Sequence, residues 1–589
     1  MPVEKAAGRG YNRTAMDATD IRLSGFDSPG SDGAADLHAA LTGLTAERAV
    51  DRIWARDWTL WRNRDEEISN RLGWLDAVDE IPGAAAERED FVRGLRAEGF
   101  SHALVLGMGG SSLAPEVFAR VFGPGPAGLR LDVLDSTDPA AVMDARTALP
   151  IDRTLFVVSS KSGSTLETSS LLSFFFAEVS AAVGPKRAGR SFAAITDPGS
   201  SLERLASNLA FRTIYLGDPN VGGRFSAFTA FGLVPAALLG ADTSALLKGG
   251  RTAALACRAP EAGRNPGAFL GAILATAARR GLDKLGLFLP PRLASLGAWI
   301  EQLLAESTGK EGRGILPLAG RRPEDETAGD GGIVGEAGVL PVFLEAAGDE
   351  GWASAKDRAI RSGRPCVFIR ADGEAGLGGQ IFLWEFATAV AGRMLGVNPF
   401  DQPDVAFSKK RTTESLAEAV REGRIPMDSP DARNESESVW AGFTVADAAG
   451  ALRRFAAEAK TAGYVVFQAF LPPRPAVRGA LRRLALRFQA ATGRPAAFDF
   501  GPRFLHSTGQ LHKGDAGRGL FIQFSADHPA DLAVPEYPGA SASAFSFGTL
   551  IDAQAAGDRR ALIEKGRRIL AVRFHTDPAA GLDRLADSL

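Results

Sequence analysis

Cysteine is nearly missing from this chain, with Cys257 and Cys366 the only two in 589 residues. A disulfide framework is excluded, and two thiols set in apolar stretches are expected to lie buried in a reducing compartment. The N-terminal stretch carries no continuous apolar run, so neither a secretory signal nor a membrane span is expected and a cytoplasmic location is the default. An excess of one charge is missing too. Lys and Arg number 67 against 70 Asp and Glu, a net charge of −3. Because both signs are scattered, neither nucleic acid nor a membrane surface is an expected partner. Six histidines, His38, His102, His506, His512, His528 and His575, form no ligand cluster with the cysteines, so no metal is expected.

What is present is apolar residue, 45% of the chain against 23% charged, enough to bury cores in three or four domains. Residues 1–35, including "LSGFDSPGSDGAAD", lack periodicity and read as a flexible N-terminal arm. Residues 36–99 read as a helical segment. Its Ile53, Trp54, Trp58 and Trp61 recur at helical spacing, a core-packing pattern. From Phe100 short apolar runs alternate with helix-like segments, the mark of a doubly wound parallel sheet, here a first domain over 100–245. In such sheets ligands sit beyond the carboxyl ends of the strands, where the loops "GMGGSS" (107–112), "SSKSGST" (159–165) and "VGGRFS" (221–226) would converge. A second α/β unit over 246–421 contains "KLGLFLPP", "GVLPVFLE", "RPCVFIRAD" and the all-apolar helix "IFLWEFATAVAGRML". Residues 422–440 read as a polar linker, and 441–589 as a third, smaller C-terminal α/β domain.

The loops carry the chemistry. In "SSKSGSTLET", Ser160, Lys161, Ser162 and Thr165 gather donors where a helix begins, which suits a phosphate without a metal. The plainer alternative is a Ser/Thr-rich helix cap. In "GMGGSS", Gly107 and Gly109 with Asp132 or Asp135 downstream suggest a dinucleotide fingerprint, yet Ser112 stands at the third glycine position. In "LASLGAWIEQLLAE", Leu293, Leu296, Ile300 and Leu304 share one helical face while Ser295, Gln302 and Glu306 share the other. Glu306 therefore points away from its helix's core stripe, either into solvent or toward the polar loops.

Five segments in order, "GMGGSSLAPE", "SSKSGSTLET", "VGGRFS", "EQLLAESTGKEGRG" and "LGVNPFDQPDVAFSKK", resemble the signature segments of the phosphoglucose isomerase family. "RIWARDWTLW" and "GPRFLHSTGQLHKGD" resemble more particularly the isomerase half of bacterial transaldolase–phosphoglucose isomerase fusions; the transaldolase barrel itself is not expected here. The resemblance implies two doubly wound sugar-isomerase (SIS) domains with the site between them, exchanging glucose 6-phosphate and fructose 6-phosphate without a cofactor.

Carried over by position, Ser111, Ser160, Lys161, Ser162 and Thr165 hold the phosphate, and Gly110, Gly223 and Gln302 line the substrate cleft. Glu306 is the implied proton-shuttling base, Arg224 the enediolate's counter-charge, and Lys409 faces the ring oxygen or the hydroxyls. Independent chemistry agrees: a proton moved between adjacent carbons needs one base and one fixed cation. A salt-bridge role for Arg224 and a solvated one for Lys409, beside Lys410 and Arg411, are the ordinary alternatives. No histidine lies between Glu306 and Lys409, where the family places its ring-opening residue. The C-terminal domain is therefore expected to supply it, as His506 or, second, His512. A homodimer is possible. A non-catalytic sugar-phosphate-binding regulator and a nicotinamide-dependent dehydrogenase are the alternatives from other classes.

Overall fold

The computed structural model describes residues 21–26, 32–79, 83–326, 332–371, 373–425, 429–459 and 461–589. Most of the expected N-terminal arm, residues 1–20 and 27–31, lies outside the described residues. Its remainder corrects the reading. Strand β1 (Ile21–Ser24) is no loose segment; it runs antiparallel along the edge of the second sheet, with Ile21 buried. Two alternating apolar residues, Ile21 and Leu23, are too short a signal to announce a strand whose partner lies far along the chain.

The first sheet contains β2 (His102–Gly107), β3 (Arg130–Leu134), β4 (Thr154–Ser159), β5 (Phe192–Thr196) and β6 (Thr213–Leu216). Its order is β3-β2-β4-β5-β6, all parallel. β4 and β5 are buried throughout, as strands covered by helices on both faces must be. After β2 the chain crosses to one side as β3 and then returns to the other as β4. The loops leaving β2 and β4 therefore part company and leave a crevice between them.

The second sheet contains β7 (Lys284–Phe288), β8 (Leu316–Leu318), β9 (Val339–Glu345) and β10 (Cys366–Arg370), in the order β1-β10-β9-β7-β8. β7 to β10 are parallel. The three-residue β8 falls below what a periodicity argument detects. Behind this sheet, helix Gly373–Leu395 packs against helices Thr243–Ala256 and Pro266–Arg279. In its middle, Glu385 is fully buried, and neither carboxylate oxygen has a hydrogen-bond partner among the described residues. Burial pushes its pKa well above the usual carboxylate range.

The third sheet contains β11 (Ala432–Arg433), β12 (Glu437–Trp440), β13 (Tyr464–Phe470), β14 (Ala496–Phe500), β15 (Gly519–Ala526) and β18 (Arg568–Phe574), with a separate hairpin of β16 (Ala533–Pro535) and β17 (Ser543–Ser546). The order is β11-β12-β18-β15-β13-β14. β11 and β12 correct the linker reading of 422–440: Val439 and Trp440 are buried on the antiparallel pairing with β18, and only the preceding polar run resembles a connection.

This C-terminal body rests on both other sheets. Tyr464, Val466 and Phe521 share an apolar core with Phe288, Leu316 and Phe343 of the second domain. Helix Phe547–Glu564 inserts Phe547 and Leu550 among Leu171 and Phe174 of the first domain, with Phe547 edge-on to Phe174 at 5.7 Å. Fully burying a phenylalanine contributes about 1.5–3 kcal/mol, so each contact is a substantial anchor.

Candidate active site

The crevice of the first sheet faces the second domain and the C-terminal body, and together they enclose a cleft of about 680 Å³. Each wall follows from local sequence. Gly109 takes φ +57°, and a Cβ there would strike Gln302 and the backbone of His506. Gly110 packs so closely on Gly223 that a Cβ would lie 2.0 Å from its carbonyl oxygen. Only a glycine at position 110 lets the "GMGGSS" loop meet the "VGGRFS" loop backbone to backbone. That contact sets Ser111 and Arg224 in one cleft.

The hydroxyl-rich loop lies at one end. Ser160 Oγ donates to Thr165 Oγ1 at 3.1 Å, and Ser162 and Ser164 hydroxyls are 2.9 Å apart. Helix Leu166–Val183 starts immediately after Thr165, whose side chain makes no cap bond. A helix N-terminus of this kind attracts an anion. Lys161 is paired with Asp197 and also donates to the Asp218 carbonyl at 3.1 Å. Its charge is thus partly compensated.

The other end holds the carboxylate. Helix Leu296–Thr308 buries both faces: its leucines meet the core, and Gln302 and Glu306 line the cleft. Gln302 Nε2 donates to Glu306 Oε2 at 3.0 Å and to the His506 carbonyl at 2.8 Å. Gln302 Oε1 is buried and has no hydrogen-bond partner among the described residues. Arg224 Nη1 stands 3.3 Å from Glu306 Oε1. The rest of the guanidinium is fixed by Ser307 Oγ at 2.7 Å, Gln402 Oε1 at 2.9 Å and the carbonyls of Pro399 and Asp401 at 2.7 and 3.0 Å. Burial pulls the Arg224 pKa down, opposed by Glu306 and Asp401.

His506 closes the third side. Its Nε2 lies 2.9 Å from Glu167 Oε1, which also accepts from Gln554 Nε2 at 2.9 Å. Gln554 Oε1 in turn accepts from Thr137 Oγ1 at 2.6 Å. Burial raises the Glu167 carboxyl, but the charge and hydrogen bond of His506, helped by Lys409, outweigh it and hold it down at about 2. Lys409 lines the cleft and makes no ion pair among the described residues.

All predicted residues but one therefore meet: Gly110, Ser111, Ser160, Lys161, Ser162, Thr165, Gly223, Arg224, Gln302, Glu306, Lys409 and His506 line the cleft. His512 does not, and its assignment is corrected. It is buried between Phe504 and Phe521, its Nδ1 3.4 Å from Gln468. Burial, with Lys513 and Arg567 nearby, drives its pKa well below the usual range. A neutral core histidine six residues from the cleft-facing one is what short-range sequence context cannot separate. The dinucleotide reading loses its acid as well, since Asp135 faces Arg503 at 3.4 Å and Asp132 faces Arg130 at 3.4 Å.

Four residues went unread. Glu167 stands in the quoted "SSKSGSTLET", yet nothing in the sequence names its partner. Gln402 and Gln554 likewise act only through folding. Lys310, in "ESTGKEGRG", is buried and donates to the Asn398 and Asp401 carbonyls at 2.7 Å each and to Asp401 Oδ1 at 2.6 Å. Burial, against the pull of Asp401, brings its pKa down to about 8.

The phosphoglucose isomerase family model matches residues 88–313. Glucose-6-phosphate isomerase of Rubrobacter xylanophilus is 31% identical over 424 residues, which cover 64% of this chain and 95% of that one. The Synechococcus sp. glucose-6-phosphate isomerase is 31% identical over 362 residues, covering 54% of this chain and 66% of that one. Among solved structures, a hypothetical protein from Thermus thermophilus aligns with TM-score 0.56 and 25% identity over 67% of this chain and all of that one. The glucose-6-phosphate isomerase of Chlamydia trachomatis aligns with TM-score 0.58 over 69% of this chain and 90% of its own, and at 18% identity it speaks to the fold alone. Shared sequence along nearly the whole Rubrobacter protein, on a two-sheet fold with a cleft between the sheets, means that this chain belongs to the phosphoglucose isomerase family.

Proposed function

We propose that this chain interconverts glucose 6-phosphate and fructose 6-phosphate through an enediolate. One observation carries the reading: a carboxylate and a guanidinium 3.3 Å apart share a cleft with a hydroxyl-rich helix start. The phosphate binds at Ser111, Ser160, Lys161, Ser162, Thr165 and the N-terminus of the following helix. The C1–C2 end then lies toward Glu306. His506, held by Glu167, delivers a proton to the ring oxygen and opens the pyranose, with Lys409 beside the sugar hydroxyls. Glu306 takes the C2 proton and returns it to C1, a role a carboxylate beside a planar intermediate fills from one position. Arg224, which cannot lose its charge, faces the oxygen on which negative charge develops. Gln302 accepts a substrate hydroxyl through its unpartnered Oε1. The C-terminal "RFLHSTGQLHKGD", which supplies His506, supports a finer placement beside the isomerase half of the transaldolase fusions.

The test is fructose 6-phosphate in D2O, followed by NMR without nicotinamide. Glucose 6-phosphate carrying deuterium at C2 is the expected product. Binding without turnover would replace the reading with a sugar-phosphate regulator, and turnover only with added nicotinamide would replace it with a dehydrogenase.

A further inference from the structure

A second cavity, of about 370 Å³, lies where the second sheet meets the C-terminal body, and none of its lining belongs to the cleft above. Buried Leu316, Tyr464, Leu511 and Lys284 form its inner wall. Arg279, Arg313 and Arg518 stand exposed around it. Its size falls within the range of small-molecule sites.

The acids in its wall are already taken. Asp283 Oδ1 faces Lys284 Nζ at 2.5 Å and its Oδ2 faces Arg518 Nη1 at 2.9 Å. Asp515 Oδ1 faces Arg567 Nη2 at 3.0 Å, and its Oδ2 accepts from the Tyr464 hydroxyl at 3.0 Å. Two guanidiniums of the lining have no carboxylate partner among the described residues. Arg279 donates to the Met394 carbonyl, a neutral group. Arg313 has no carboxylate partner among the described residues, and its guanidinium rests against Gly396.

We propose that this cavity binds a small organic phosphomonoester, its phosphate between Arg279 and Arg313 and its apolar part against Tyr464 and Leu511. Two guanidiniums without a carboxylate partner among the described residues suit one phosphate dianion, and their forked donors match its oxygens. A monocarboxylate neutralises half of that charge. The occupant also spans a joint. The loop after Glu306 meets the helix after His506 here: Gly312 N–H donates to the Gly514 carbonyl at 2.9 Å, and Gln510 Nε2 donates to the Gly309 carbonyl at 3.0 Å. Occupancy ties those two segments together. The inference rests on the cavity alone and stands or falls apart from the isomerase reading.

The probe is phenyl phosphate, titrated by calorimetry into the full chain carrying Lys161→Ala and Thr165→Ala, which weaken the hydroxyl-rich loop as a competing site. One equivalent is expected to bind. Adding Arg279→Ala and Arg313→Ala should weaken it at least tenfold, while Arg279→Lys with Arg313→Lys keeps part of the affinity and shows that the fold survives. Benzoate should bind more weakly than phenyl phosphate. Hydrogen exchange over 309–314 and 509–514 should slow on binding. No binding, binding indifferent to both arginines, equal affinity for benzoate, or unchanged exchange in both segments would each overturn the proposal.

Discussion

Arg224 Nη1 lies 3.3 Å from Glu306 Oε1, with the two side chains only 2% and 8% exposed. So little water reaches the pair that it is electrostatically strong, and each partner is exposed to loss if the other is changed. Glu306→Gln keeps the shape and removes the base. Its kcat is expected to fall about 10³-fold with KM nearly unchanged, as expected for loss of a general base. Steady-state kinetics decides this, with circular dichroism to verify folding.

Arg224→Lys keeps one positive charge but not the forked contacts to Ser307, Gln402, Pro399 and Asp401. A loss of about 10²-fold in kcat/KM is expected, together with a lower melting temperature. An unchanged kcat/KM would assign Arg224 to structure alone.

His506 and His512 separate cleanly. His506→Ala should slow isomerisation of cyclic substrate about 10²-fold and affect an open-chain analogue far less. Glu167→Gln should reproduce part of that pattern by releasing the imidazole. His512→Ala opens a cavity beside Phe504 and Phe521; it should lower the melting temperature and leave turnover per folded molecule intact.

Lys310 gives the cleft a pH limit. With its pKa brought down to about 8, it is charged at neutral pH and loses its proton as the pH rises through that value. The Asp401 segment that fixes Arg224 then loses its cationic anchor. The kcat/KM profile should show a falling basic limb near pH 8, and Lys310→Arg should move it upward.

Glu385 is a stability liability. A carboxyl whose folded pKa is raised favours folding while both states are protonated; that contribution fades as the pH climbs above the ordinary carboxylate range toward the folded value. Glu385→Leu should therefore stabilise the protein at pH 8 by on the order of 2 kcal/mol and by less at pH 4.5. Urea unfolding at the two values measures the difference.

Much of this molecule is legible where the signal is local. Long apolar strands such as β4 and β15 announce themselves, and so do loops whose hydroxyls and glycines have one obvious use. Partnership is not local. β1 and β8 are too short to carry periodicity, and β12 hides in a polar run because its mate β18 lies more than a hundred residues on. Glu167 became a functional candidate only when folding set it against a histidine from another domain. His512 shows the converse, since a residue can resemble its neighbour in sequence and be enclosed by phenylalanines in space.

The seating of the C-terminal body on both sheets has a mechanical consequence. The proton donor, the carboxylate and the phosphate loop hang from three bodies, each braced against the other two through Phe547, Phe521 and the Arg224–Ser307 hydrogen bond. Such a triangulated frame resists opening like a hinged jaw. Severing the chain before residue 441 would bare two greasy faces at once and is expected to leave a protein that clumps rather than a smaller working enzyme.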